Sequence, residues 1–433
     1  MISFDTTRAT AEQLDEKDPL KDFRQEFLFP QHKGRNSLYF CGNSLGIQPK
    51  GAMNALRQEM DRWRELGVEG HFEGELPWTE YHKALTEPSA HIVGARPEEV
   101  IIMNTLTVNL HLMMVSFYRP TKERFKIIME AGAFPSDQYA VETQVKFHGY
   151  DPEEAIIEVM PRAGKMTLEH EDILSTIEEH GAETALVLFG GLNYYTGQLF
   201  DMQAITEAGH RKGALVGFDL AHAAGNVPMQ MHDWGVDFAV WCTYKYINSG
   251  PGALSGCFIH ERHVNNQELP RFAGWWGQDE KRRFLMEKGF VPNPGAEGWQ
   301  ISNAPIMAFP PMKVSHELHQ RASMTALRQK SKQLTGYLEF LIDELNKEGK
   351  HYEFITPRDP EQRGAQLSFI TGKEGKELFD YLTENGVICD WREHNLPNDD
   401  GEGARSGVIR IAPAPIYNSY LDVWELVDLL RRY

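Results

Sequence analysis

Two short stretches decide the fold: GFDLAH, Gly217–His222, and WCTYKYINSGPG, Trp241–Gly252. Each begins as a short apolar run and ends on a charged residue, Asp219 in the first and Lys245 in the second. Beyond Lys245, Gly250-Pro251-Gly252 cannot continue a helix and turns the chain away. A surface lysine would explain Lys245 alone, and a helix-capping acid would explain Asp219 alone. Outward from these two, FKIIMEAGAFPSD and TALVLFGGLNYYTG follow the same design, a run of Val, Ile, Leu and Phe closed by a polar loop. Helix-like polar sequence lies between the runs. Such alternation predicts a mostly parallel sheet with helices on both faces. Ligands of such sheets bind outside the carboxyl ends of the strands, and Asp137, Asn193, Asp219 and Lys245 all fall just after an apolar run.

The chain of 433 residues has room for a large core and a smaller companion. From Pro311 the character changes. Helical spacing runs for some nine turns up to Gly349, followed by short strands and helices in YEFITP, AQLSFIT, KELFDYLTEN, VICDWRE and VIRIAPAP and a last helix, DVWELVDLLRR. The predicted organisation is an N-terminal segment, 1–50, packing with the small domain, a large domain, 51–310, and a small C-terminal α/β domain, 311–433. A net charge of −18 excludes nucleic acid and anionic membranes as partners. The four cysteines, Cys41, Cys242, Cys257 and Cys389, are scattered and predict free thiols in a reducing, cytoplasmic setting. The opening MISFDTTRATAEQLDEKDPL has neither a basic start nor an apolar stretch, so no secretory leader is expected.

Three motifs mislead. SHELHQ places His316 and His319 three apart, not four, on what reads as an exposed helix, and HERH at His260 fails the same test, so no metal is expected. Gly250, Gly252 and Gly256 have the wrong spacing for a dinucleotide loop, and LSGCFIH after them reads as a strand where that motif must open a helix.

What remains is a lysine and an acid 26 residues apart, each at the end of a strand. Pyridoxal 5'-phosphate (PLP) requires this pair: an amine to hold its aldehyde and a carboxylate to keep its pyridine nitrogen protonated. One helix and one strand would fill the gap and set Asp219 beside Lys245. The phosphate needs a helix start with hydroxyls nearby, which Leu106 and Thr107 supply at the head of an apolar helix; a plain threonine cap reads the same. Phe134 follows a strand, where it could cover a face of the ring, with Asp137 one turn further on.

The blocks YFCGNSLGIQPK, TLTVNLHLMM, EAGAFPSDQYA, YYTGQLFD, GFDLAHAAGNV, HDWGVDFAVWCTYKYINSGPG, GWWGQD, ISNAP and VIRIAPAPIYNS carry a resemblance that runs nearly end to end. The sequence resembles the kynureninases, PLP-dependent enzymes of the aspartate-aminotransferase fold class. The resemblance implies PLP fold type I: a large domain with a mostly parallel, seven-stranded-type sheet and a small α/β domain. It implies hydrolysis of L-kynurenine, 3-hydroxy-L-kynurenine or both to L-alanine and an anthranilate, in tryptophan catabolism or NAD biosynthesis. By the same resemblance Lys245 carries the cofactor and moves protons at the α-carbon, Asp219 faces the pyridine nitrogen with Asp137 close by, and Phe134 stacks on the ring. Leu106, Thr107, His222 and Tyr244 line the cofactor, with Tyr244 at the phosphate and a donor of protons. Trp275 and Asn303 match positions that come from the neighbouring subunit of a homodimer. Arg410 would clamp the substrate carboxylate, and His71 and Asn303 match positions beside its aromatic ring in animal-type members. His71 also reads as a solvated loop histidine. One departure is Gly190, where relatives often carry Ser or Thr; that contact is expected to be absent or replaced by water or backbone.

Two other readings share the scaffold. Cysteine desulfuration or transamination is one, but no cysteine lies between 258 and 388 and Cys389 closes an apolar run, leaving no thiol for desulfuration. A non-enzymatic PLP-binding descendant is the other, and it should have lost Lys245, Asp219 or Arg410, all of which are present.

Overall fold

The computed structural model describes residues 4–371, 375–393 and 407–433; residues 1–3 of the expected N-terminal segment lie outside them. Seven strands form the main sheet: β1 Val100–Met103, β2 Lys126–Glu130, β3 Ile156–Val159, β4 Thr184–Gly190, β5 Leu215–Asp219, β6 Phe238–Cys242 and β7 Ser255–Ile259. Their spatial order is β1-β7-β6-β5-β4-β2-β3. Only β7 runs against its neighbours; the other pairings are parallel. The runs are apolar without alternation because both faces are covered. Val187, Phe189, Ala239 and Trp241 point into one core and Leu186, Leu188, Phe238 and Val240 into the other. Gly217 is glycine for a packing reason: a Cβ there would lie 2.2 Å from the Phe238 ring.

The parallel order brings the ends of β2, β4, β5 and β6 to one edge. There they leave Glu130, Gly190, Asp219 and, three residues past β6, Lys245. Asp219 pairs in register with Val240, so β5 and β6 are direct neighbours. Contrary to expectation, no helix joins them; residues 220–237 run as consecutive turns.

A second sheet holds β8 Glu353–Phe354, β9 Leu367–Ile370, β10 Asp390–Glu393 and β11 Gly407–Ile411 in the order β8-β9-β11-β10, all antiparallel. Leu334, Leu341, Phe369, Ile409 and Leu426 build its core together with Ala11 and Leu14 of the N-terminal helix Arg8–Lys17. Next to it, Leu38–Tyr39 pairs in parallel with Val387–Ile388.

The long helix expected after Pro311 is two helices, Phe309–Ala322 and Met324–Lys347. Ser323 breaks it with φ +61°, and its side chain then caps the second helix by accepting the Ala326 N–H. His316 and His319, expected on an exposed face, are buried. Their Nδ1 atoms lie 2.7 and 2.9 Å from the carbonyls of Met312 and Ser315. Helical spacing alone does not reveal that both sides of this helix are covered.

Candidate active site

At the carboxyl edge of the main sheet lies a half-open cavity lined by the ends of its central strands. Of the predicted residues, Leu106, Thr107, Phe134, Asp137, Asp219, His222, Tyr244 and Lys245 line it. Lys245 sits in the tight turn after β6, where Asn248 adopts φ +63° and its N–H returns to the Lys245 carbonyl at 2.9 Å. The Lys245 Nζ stands 5.9 Å from the centre of the Phe134 ring.

Two helices open onto the cavity, Leu106–Phe117 and Pro135–Phe147, and neither has a side-chain cap. The first leaves its opening N–H groups without helical partners; in the second Pro135 has no N–H and Asp137 N–H donates to the Phe134 carbonyl at 2.9 Å, which leaves Ser136, whose Oγ meets Thr107 Oγ1 at 2.6 Å between the two starts. Two uncapped helix starts and two hydroxyls make an anion cradle.

Asp219 is buried and accepts the Ala221 N–H at 2.7 Å. Burial pushes its carboxyl up, partly offset by that N–H and by Asp137. Asp137 is pushed well above the usual range by burial and by the Asp219 charge. It therefore holds a proton toward Asp219, while its own Oδ1 is buried without a partner. His222 is held neutral by burial and by the nearby Lys245, and its Nδ1 is also unpartnered. Burial raises the Tyr244 phenol, which stays a donor. Orphaned polar atoms on residues that line the cavity, an amine, a paired acid and an anion cradle fit PLP.

Four predicted residues do not line the cavity. Arg410 lies just behind it, buried: its Nη1 donates to the Tyr194 carbonyl at 2.5 Å and its Nη2 pairs with Asp390. Trp275 and Asn303 are exposed. His71 bonds the Val68 carbonyl at 3.0 Å and leans on Trp78. Rings link His71 to Trp275 along the surface through Phe72 and Phe284, with centres 5.5 to 6.2 Å apart.

The sequence reading missed Glu130, Ser136 and Tyr194, all of which line the cavity. At Gly190, where a contact was expected to be absent or replaced, a Cβ would lie 2.6 Å from Glu130 Oε1, so a carboxyl stands where a side chain would be. At the opposite edge of the sheet, Glu99, His232 and His260 approach within ligand distance of one another. Glu99 there accepts from the Arg96 and Glu261 N–H groups and contacts His232 Nδ1 at 2.9 Å, which accounts for it as a turn lock.

A sequence profile described as the kynureninase C-terminal domain matches residues 327–430. The kynureninase of Flavobacterium psychrophilum is 55% identical over 99% of this chain and 98% of its own. That of Christiangramia forsetii is 52% identical over 100% and 99%, and that of Myxococcus xanthus 54% over 99% and 97%. Among solved structures, a cysteine desulfurase from Thermococcus onnurineus superposes with a TM-score of 0.75 at 17% identity, covering 100% of this chain and 99% of its own. The cystine C-S lyase C-DES gives 0.74 at 17%, covering 92% and 98%. At such identity these two share the fold, that of PLP-dependent fold type I. Full-length likeness at half of all positions, together with the lysine and acid at the sheet edge, places this chain in the kynureninase family.

Proposed function

We propose that the protein hydrolyses the Cβ–Cγ bond of L-kynurenine, 3-hydroxy-L-kynurenine or both, giving L-alanine and the matching anthranilate, with PLP held by Lys245. The observation that carries this reading is the meeting of Lys245 with the Asp219–Asp137 pair in one cavity whose walls include two uncapped helix starts. When bound, PLP supplies an electron sink for charge that develops beside the substrate's amino group. Leu106, Thr107 and Ser136 hold its phosphate, Phe134 covers a face of its ring, and Asp219 keeps a proton at the ring nitrogen, with Asp137 fixing which oxygen faces it. His222 fills the wall as a neutral ring.

Lys245 Nζ takes the proton from the substrate α-carbon and returns it there before alanine leaves, and Tyr244, whose phenol burial holds in the protonated form, is a donor within the same turn. Arg410, behind the cavity wall, would bind the α-carboxylate by giving up its Asp390 partner for the substrate's carboxylate. One water is consumed: its hydroxyl joins the γ-carbonyl carbon, the Cβ–Cγ bond breaks, and a proton ends on Cβ to complete alanine. Desulfuration would need a thiolate, whereas burial pushes the thiols of Cys41, Cys242, Cys257 and Cys389 up.

The finer assignments belong to the same proposal. A homodimer would bring Trp275 and Asn303 to the partner's cavity, with His71 and Asn303 near the substrate ring; the exposed rings of Phe72, Trp275 and Phe284 support a covered face there. Four free thiols support a reducing, cytoplasmic setting. Among the described residues no helix is long and apolar enough to cross a membrane. An N-terminal segment, 1–50, set with the small domain is supported by the pairing of Leu38–Tyr39 with Val387–Ile388, and the division near residue 310 belongs to the same proposal. The place in tryptophan catabolism or NAD biosynthesis follows from which ring is preferred.

The test is to mix PLP-loaded protein with L-kynurenine and follow anthranilate fluorescence and alanine. Equal amounts of both confirm the reaction, and the 3-hydroxy substrate ranks the two rings. A change in cofactor absorbance without anthranilate would sink the hydrolytic reading while leaving the cofactor in place.

A further inference from the structure

Glu130 has no part in the chemistry above, yet the rim of the cavity hangs on it. It ends β2 almost fully buried and turns its carboxyl toward β4. Oε1 accepts the Gly190 N–H at 3.1 Å, and Oε2 accepts from Asn193 Nδ2 at 2.8 Å. The other end of Asn193 is fully committed: Oδ1 accepts the N–H groups of Tyr195 and Thr196 at 3.0 and 2.9 Å and the Thr196 hydroxyl at 3.1 Å. Three donors on Oδ1 allow the amide one orientation, so Glu130 faces donors at both oxygens. The turn fixed in this way presents Tyr194. Its ring meets Phe134 edge-on at 5.2 Å, and its carbonyl accepts from Arg410 Nη1 at 2.5 Å and Gln366 Nε2 at 2.9 Å.

We propose that Glu130 is a positioning residue for carboxylate capture: through Asn193 and Tyr194 it sets where the Arg410 guanidinium stands, and Gly190 is glycine because the Glu130 carboxyl occupies the place of a side chain. This rests on the reading of Arg410 as the carboxylate clamp. The geometry is unforgiving because the links are short and enclosed. A glutamine at 130 keeps the shape but offers one acceptor and one donor to two donors, so one of the two contacts turns repulsive. A serine at 190 displaces the carboxyl directly, its Cβ lying 2.6 Å from Oε1.

The experiment compares PLP-loaded wild type, Glu130→Gln, Gly190→Ser, Glu130→Ala and Glu130→Ala/Gly190→Ser. Readouts are cofactor stoichiometry by absorbance, KM and kcat for L-kynurenine, and binding of L-alanine and of the descarboxy analogue of kynurenine through the cofactor spectrum. Glu130→Gln is expected to load cofactor fully and to raise KM and the L-alanine Kd about tenfold, with kcat falling less and the descarboxy analogue unaffected within about twofold. Gly190→Ser should do the same, and its penalty should vanish in the Glu130→Ala background. The proposal is overturned if Glu130→Gln leaves L-alanine binding unchanged, or weakens the descarboxy analogue equally. Should Glu130→Gln not fold, additive penalties in the Ala/Ser pair overturn it. Arg410→Lys separates the two layers: if it too spares discrimination between the carboxylate and descarboxy ligands, the clamp reading fails irrespective of Glu130.

Discussion

Lys245 and Asp219 could be read from the chain because the chemistry demands those residue types and the sheet demands that position. Lys245→Ala should lower anthranilate formation by about a thousandfold or more in a fluorescence assay, since among the described residues no other amine lines the cavity. Arg410→Lys removes a planar fork and should raise KM about tenfold while kcat changes less. The residues that escaped notice are those whose role comes only from their neighbours. Glu130 ends an apolar run as Asp219 does, and that shared position was the available signal; its charge read as the hydrophilic end of a strand because Asn193 and Gly190 are 63 and 60 residues away in sequence. Ser136 sits behind Pro135 and looks like a turn residue until a second helix start brings Thr107 to it. Arg410 was legible as a type but not as an ion pair, because Asp390 faces it from the adjacent strand.

Among the elements, strands were easier to place than helix interruptions. Continuous apolar runs betray a doubly covered sheet, but a break in a helix depends on one residue's backbone. Ser323 stops one helix and caps the next, so Ser323→Ala should lower stability by about 1 kcal/mol, seen as a drop in Tm. The preceding helix has a pH signature. His316 is fully buried, and burial lowers its pKa to about 4, below the ordinary 6.5. The unfolded chain therefore binds the proton more readily than the folded one. The stability from this group is complete above about pH 6.5 and is lost as pH falls through about 4. Urea midpoints measured from pH 7 to pH 4 should fall, and His316→Gln should flatten part of that fall.

Over the whole molecule, the two-sheet plan was legible from the change in character near Pro311, and the first fifty residues were expected beside the small domain, but the individual partners of that segment were not legible. Pairing across that distance leaves no local pattern. Phe40 accepts from the Ala412 N–H and donates to the Ile388 carbonyl, Asn418 Nδ2 donates to Tyr39, and Gly46 donates to the Tyr244 carbonyl at 2.8 Å. Gly46 also lies against the turn that carries Lys245: a Cβ there would be 2.4 Å from the Lys245 carbonyl and 2.2 Å from Asn248 Oδ1. Gly46→Ala should therefore weaken cofactor binding about tenfold and lower Tm, as read by spectrophotometric titration and a melting curve.

That strap has a consequence in time. Gly46 leaves the ribosome early, but the residues that anchor its segment, 388, 412 and 418, follow only after every strand of the main sheet has been made. The main sheet can collapse while synthesis continues, yet the strap against the lysine turn is anchored only once those later residues are made. A nascent chain halted before residue 388 would carry every strand of that sheet and still lack the anchors of the segment against its reactive amine, so firm capture of the cofactor should follow their synthesis.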